Sequence, residues 1–383
     1  MKPLCGVLAT FAMALVIGCN TDDDEPRASY VGRSTCAECH EEQTHGWHGS
    51  DHDRAMEPAT AETVLGNFDD ASLTHHGSTT RFFREGANFM VETEGVSGDL
   101  EKFKVTHTFG FRPLQQYLIE LDRGRVQCLT IAWDTQEKKW FSLYPDEHIP
   151  HDDVLHWTKP AQNWNYMCAS CHSTDLQKNY DLASDTYETT FAEIDVSCEA
   201  CHGPASQHIA WARKTETVKG NGLLLDLSVG EREGRDRSRQ KAQIETCARC
   251  HARRRVIHSD DGPDRAFLDS FVPELIRPNL YHADGQIIDE VYVYGSFLQS
   301  RMHHEGVACS DCHDPHSTKI LATGNALCIR CHKPEVYNNE SHHHHATGSK
   351  AALCVECHMR ERTYMVNDPR RDHGFHIPRP DLT

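Results

Sequence analysis

The sequence predicts a mainly α-helical and irregular chain with a β-rich insert in its N-terminal half, and three observations carry that reading. Fourteen of the 17 cysteines fall into seven copies of one short motif, C-x-x-C-H. The longest gap between motif starts, 132 residues, is occupied by β-branched and aromatic runs. The hydrophobic fraction, 38%, lies below the ~45–50% usual for soluble domains. Something other than aliphatic side chains is therefore expected to fill part of the interior.

The chain opens with an export signal at residues 1–18: one basic residue, Lys2, then an apolar run from Leu4 to Ile17 that ends in VIGC. Such a run is too short to span a bilayer unaided. Gly18 before Cys19, with Val16 further back, resembles a bacterial lipobox, so Cys19 is expected to become the lipidated first residue of the mature chain. Ordinary signal cleavage nearby is the alternative. Residues 19–30 then read as an acidic tether. The expected location is the periplasm, anchored to a membrane, with the outer membrane as one placement. The formal net charge of −18 makes the chain a poor binder of nucleic acid, because phosphate binding relies on Lys and Arg displacing counterions. A protein partner with a basic docking patch suits it better.

The seven motifs are CAECH (36–40), CASCH (168–172), CEACH (198–202), CARCH (247–251), CSDCH (309–313), CIRCH (328–332) and CVECH (354–358). C-x-x-C-H is the attachment motif of c-type haem. Two thiols three residues apart lie on one face of a helical turn, where they can bond the two vinyl groups of one porphyrin. The histidine next to the second thiol is held beneath the ring as the proximal iron ligand. The expected thioether pairs are Cys36 and Cys39, Cys168 and Cys171, Cys198 and Cys201, Cys247 and Cys250, Cys309 and Cys312, Cys328 and Cys331, and Cys354 and Cys357. The expected proximal ligands are His40, His172, His202, His251, His313, His332 and His358. Zinc sites and disulfide frameworks also use paired cysteines, but neither needs a histidine after the second one in every copy. The cofactor expectation is seven covalent haems c, which also requires export.

Residues 31–160 form an N-terminal region that holds the first motif and the insert, at about 72–146. TRFFREGANFMVETEG, KFKVTHTFG, RGRVQCLTIAW and KKWFSLYP read as antiparallel strands of a meander or small sandwich. FRPLQQYLIEL between them reads as a short helix, and Cys128 as a small apolar core residue. Residues 161–383 form a six-haem region of helices, loops and motif turns. EVYVYGSFLQSRMHH is a helix candidate there, and HIPRPDLT, with two prolines, is expected to run extended.

Seven of the 28 histidines are proximal, which leaves 21 from which a second axial ligand could come. Histidine on both faces implies a lower potential than a methionine–histidine pair. His75 and His76 leave opposite faces of a strand, so at most one reaches a given haem, and His75 is favoured. His156, just ahead of the second motif, is another candidate. His282 and His303 are reserves. His107, His148, His151, His258 and His304 are read as surface or supporting residues, and Met56 and Met302 as occasional replacements. In SHHHHATG one ring is expected to be a distal ligand, with His344 and His345 ahead of His342 and His343. Arg253–Arg255 and Arg370–Arg371 either face haem propionates, as bidentate arginines do, or form a solvated patch.

WHGSDHDRAM, CEACHGPASQH, GVACSDCHDPH and CHMRERTYMVNDPRRDHGF resemble multihaem c-type cytochromes related to the tetrahaem acceptor of hydroxylamine oxidoreductase. The nearest likeness is to exported multihaem proteins that often carry tetratricopeptide repeats; no such repeat is read here. The resemblance spans about 31–383. It implies a haem-packed cytochrome fold and distal ligation by His52, His208, His316 and His373.

The function these readings support is electron transfer by haem-to-haem hopping, between redox protein partners with a quinone-linked donor. One alternative is an oxidoreductase of the nitrite or hydroxylamine type with one open haem. No motif ends in the lysine found at some nitrite-reducing sites, which weighs against it. Another alternative is a subunit of a conductive filament.

Overall fold

The structure, a computed structural model, describes residues 27–215, 217–230, 234–258, 262–263, 265–379 and 381–382. The signal segment and Cys19 lie outside these. Among the described residues, no helix is long and apolar enough to cross a membrane.

The largest regular element is a nine-stranded antiparallel sheet. Its strands are β1 (Met56–Pro58), β2 (Ala71–His75), β3 (Ser78–Glu85), β4 (Asn88–Glu94), β5 (Leu100–Phe109), β6 (Leu114–Leu121), β7 (Arg125–Cys128), β8 (Ile131–Asp134) and β9 (Lys139–Ser142). They run in the order β2-β3-β4-β5-β6-β8-β9, with β1 beside β5 and β7 beside β6. Local sequence explains the meander. Burial alternates along β4, from Phe89 and Val91 inward to Met90 and Glu92 outward, as a half-buried strand requires. Glu85 and Asn88 close the β3–β4 hairpin, and Gly86, at φ 62°, takes the first loop position, which an L side chain adopts only at a cost.

Aromatic rings dominate the sheet's core: Phe68, Phe82, Phe89, Tyr117, Trp133, Trp140 and Trp157 pack with Val91, Val105, Ile119 and Leu129. Phe82 and Trp140 stack at 3.5 Å, and Phe68 sets its edge against four of these rings.

One element departs from expectation. LQQYLIEL, read as a helix, is the strand β6. Tyr117 and Ile119 face the aromatic core, while Leu118 faces a second cluster with Met56, Cys128, Trp164 and Ala169. A strand covered on both faces loses the alternation that identifies it, so the sequence alone cannot separate it from a buried helix. Its glutamines survive burial because they are bonded. Gln115 accepts from Leu65 N and donates to Thr63 O, and Gln116 donates to Leu129 O. The second cluster joins the sheet to the second C-x-x-C-H motif, and Cys128 is buried within it.

Beyond residue 160 the helices are short. The longest runs from Arg237 to His251, starts with the Asp236 carboxylate accepting from Ser238 N, and ends in the fourth motif. EVYVYGSFLQSRMHH forms two helices, Tyr294–Gln299 and Arg301–His304, because Ser300 caps the second by accepting from His303 N. Irregular backbone links these pieces, and their apolar clusters hold only a few side chains, such as Ala248, Ala252, Phe267 and Phe271. Ion pairs supplement them: the Arg235 guanidinium, almost wholly buried, grips both oxygens of Asp311.

Candidate functional site

All seven motifs close the same local turn. His40, His313 and His332 donate their backbone N–H to the carbonyl of the first cysteine of their own motif, at 3.0 Å each. The third, fourth and seventh motifs lie in helices Cys198–His202, Arg237–His251 and Cys354–His358, and the second in Ala169–His172. The turn places both thiols on one side with the histidine below, which fits two thioethers and one axial bond. All fourteen motif thiols are free of disulfides.

The turns are packed against one another. The thiol of Cys36 is in hydrogen-bonding contact with Cys198, Cys171 with Cys250, Cys247 with Cys309, and Cys328 with Cys354. Cys201 and Cys247, and likewise Cys312 and Cys331, are near enough to feel each other's charge. These contacts connect motifs one, three, four, five, six and seven in series, with motif two joined to motif four.

A continuous cavity of about 3440 Å³ runs among them and is lined by cysteines of six of the seven motifs. Ordinary ligand pockets measure ~300–1,000 Å³, so this one suits several large planar groups. It also explains the sparse apolar clusters of this half.

Five motif histidines face a second imidazole across a gap. The ring centres of His40 and His208 are 6.1 Å apart, His251 and His52 6.4 Å, His202 and His316 6.5 Å, His313 and His373 6.3 Å, and His358 and His342 6.2 Å. Imidazole binds a first-row metal through nitrogen at about 2.0–2.1 Å, so two such bonds plus the ring offsets add to about 6 Å. Direct ring packing would bring the centres closer. Carbonyls fix several of these rings through Nδ1: Asn221 O for His208, Arg371 O for His373 and His376 O for His358. That leaves Nε2 for a metal. Partial burial pushes the His172 ring down to about 4, which favours the neutral form that a ligand needs.

His52, His208, His316 and His373 therefore all stand opposite motif histidines. His75 and His156 do not. His75 is at the end of β2 with Nε2 near Pro145 O, and the buried His156 bonds Thr158 Oγ1 through Nδ1. Both belong to the sheet region, and strand geometry carries them away from the motif turns. In the four-histidine run the ring opposite His358 is His342, ahead of His344 and His345. Asn339 caps a helical turn, Glu340–His343, by accepting from Ser341 N and His342 N, and this turn aims His342 inward. His344 ends the turn at φ 60°, and His345 lies 6.5 Å from His343. A helical reading of SHHHH would have singled out His342 and His345; only packing separates them.

Among the described residues no imidazole stands opposite His172 or His332 at this spacing. His332 is at an exposed edge, with His343 and His344 lining the same cavity. His172 is half-buried: Nδ1 approaches Ala55 O at 3.4 Å, and the ring of Phe109, from β5, lies 4.3 Å away.

Carboxylates and arginines tie the site together. Glu199, inside the third motif, is buried and accepts from Val31 N, Gly32 N and Ala205 N, which clamps the segment before motif one onto motif three. Three of the five arginines read as propionate partners are engaged by carboxylates of the chain, Arg253 with Asp289, Arg370 with Glu290 and Asp368, and Arg371 with Glu356 and Glu361, while Arg254 donates to Arg249 O and lies over the Phe271 ring.

The family described as cytochrome c554 and c-prime matches residues 35–77 and 130–203, and the doubled CXXCH motif matches 303–337. The gap in the first match, 78–129, coincides with strands β3 to β7. Among solved structures the chain is similar to the outer cell wall cytochrome OcwA, with TM-score 0.58 and 16% identity over 90% of this chain and 79% of that one. It also aligns with the octahaem sulfite reductase MccA of Wolinella succinogenes, with TM-score 0.39 and 16% identity over 91% of this chain and 58% of that one. No curated protein matches.

Proposed function

Starting from the premise that the chain is a multihaem c-type cytochrome, we propose that it is an exported seven-haem electron relay held at a membrane by a lipid on Cys19. The observation that carries this reading is the set of five opposed imidazole pairs on motifs whose thiols touch or lie near one another in series. Haem c, when bound, supplies one-electron couples close enough together for charge to hop between them.

The chain's residues do the rest. Each motif turn fixes one thioether pair and one proximal imidazole. An imidazole on the opposite face would complete the coordination of an iron held there and exclude substrate, which suits a carrier. Four of the five distal rings come from elsewhere in the chain: His52 lies after motif one and serves motif four, and His316 lies after motif five and serves motif three. Ligation thus cross-links the sites and sets their order. The acidic surface favours a donor or acceptor with a basic docking patch, and a quinone-linked donor fits the membrane anchor. A haemochrome assay should give seven haems per chain, and radiolabelled palmitate should enter the protein through Cys19. Six haems or fewer would remove the seven-site reading, and an unlabelled protein would remove the anchor.

A second reading rests on His172. Its half-buried ring has two motif thiols beside it and, among the described residues, no opposed imidazole, so a haem held here would keep one face open to a small ligand, and its motif joins the series at motif four. Electron paramagnetic resonance of the oxidised protein should then show high-spin ferric haem that shifts on adding nitrite or cyanide. A wholly low-spin spectrum would leave the pure relay.

A further inference from the structure

Resting on the relay reading, we propose that Glu199 is a potential-setting residue: its buried carboxylate holds the haem of motif three at a low potential, so that electrons leave it downhill along the series. Glu199 directly follows Cys198, the first thiol of its motif, and lines the shared cavity. It is 2% exposed. Oε1 accepts from Val31 N at 3.0 Å and Ala205 N at 2.9 Å, and Oε2 accepts from Gly32 N at 2.9 Å. Both oxygens thus act as acceptors toward backbone donors, the arrangement that an ionised carboxylate makes. Gly32 also ties this carboxylate to motif one, because its carbonyl accepts from the Cys36 thiol at 3.7 Å.

Three other motifs carry an acid between their cysteines, and each of those acids is paired with a guanidinium. Glu38 meets Arg213 at 2.8 Å, Asp311 meets Arg235 at 2.6 Å and Glu356 meets Arg371 at 2.9 Å. Glu199 makes no ion pair among the described residues. Motifs four and six hold arginines between their cysteines instead, Arg249 and Arg330. Motif three is therefore the one motif with an enclosed acid and no cation beside it.

Ferric iron carries one more positive charge than ferrous iron, so a neighbouring anion favours the ferric form and lowers the potential. The effect is strong where solvent is excluded. The pairs His202–His316, His313–His373 and His358–His342 offer the same axial ligands at motifs three, five and seven, so ligand type does not separate these sites and local charge does. A low potential at motif three directs electrons onward to motif four.

The test is a redox titration of the full-length, haem-loaded protein followed by electron paramagnetic resonance. The low-spin signals of motifs three, five and seven are assigned by their loss in His316→Ala, His373→Ala and His342→Ala. In the parent, the motif-three signal is expected to titrate below the other two by a factor of about ten or more in the ferric-to-ferrous ratio, ~59 mV for a one-electron couple. Glu199→Gln is expected to close that gap without moving the other two signals or changing any g-value. Glu199→Asp, which keeps the charge, is expected to preserve it. A motif-three midpoint at or above the other two in the parent overturns the assignment, whether or not the Gln variant folds. So does a motif-three ratio in Glu199→Gln within twofold of the parent, an equal shift of all three signals, or an Asp variant that shifts as far as the Gln variant. Distal variants that remove no low-spin signal overturn the relay reading itself.

Discussion

His342 and His358 face each other with ring centres 6.2 Å apart and planes within 15° of parallel. The His358 ring is oriented by Nδ1 donating to His376 O, and the His342 ring by a helical turn capped from Asn339. The first member of a four-histidine run thus has a specific partner, and its neighbours do not share it.

Replacing His342 by Ala is expected to convert one haem from low-spin to high-spin, with the remaining low-spin signals unchanged. His345→Ala is expected to leave the spectrum as it is. Magnetic circular dichroism of the oxidised variants distinguishes the two.

Preventing haem attachment is expected to unfold the two halves unequally. The sheet carries its own aromatic core, whereas the region after residue 160 has only small apolar clusters around a large cavity. With the fourteen motif cysteines changed to Ser, limited proteolysis should leave a resistant fragment covering Met56–Ser142 and degrade most of the chain beyond residue 160. Equal digestion of both parts would contradict this division.

Glu199→Gln tests the clamp between motifs one and three. The amide keeps the shape of the site but loses the charge and turns one of two accepting oxygens into a donor, so it no longer receives all three backbone N–H groups. The expected loss is about 1.5–3 kcal/mol of stability. The denaturant midpoint monitored by circular dichroism measures it.

Asp195 introduces a pH dependence. Burial lifts its carboxyl to about 6, although Arg33 pairs with it and opposes the rise; Asp53 and Glu193 stand nearby and add to it. The folded chain then holds a proton that the unfolded chain releases between about pH 4 and pH 6. This contribution to stability is full below that window and is lost as pH rises through it, by at most about 3 kcal/mol. Asp195→Asn should flatten the slope, as unfolding midpoints at pH 4, 5, 6 and 7 will show.

Phe82→Ala should cost about 3–5 kcal/mol, because the ring is wholly buried and stacked on Trp140. The low-spin haem signals should persist, since none of the five opposed imidazole pairs draws a histidine from the sheet. Chemical denaturation and the visible spectrum of the variant check the two halves of this statement.

The haem sites were legible in the sequence because their chemistry is local. Thiols at i and i+3 with a histidine next to the second mark a haem-attachment motif within one turn, so the seven motifs could be read without coordinates. The strands β3 and β4 were legible for a similar reason: period-two burial and a glycine in a tight loop are short-range signals. Strand β6 was not, because cover on both faces erased its period. His75 and His156 illustrate the limit for ligands, since each has a plausible local setting and neither has a motif histidine opposite.

The sequence by itself determined the attachment chemistry and the motif spacing, because these depend on residues within one turn of each other. Tertiary structure decided which histidine meets which motif, that motif two branches from motif four, and that His172 and His332 have no opposed imidazole among the described residues. A second imidazole has to face the motif turn from the opposite side, which in four of the five pairs means a remote segment, and only the packing of those segments chooses it.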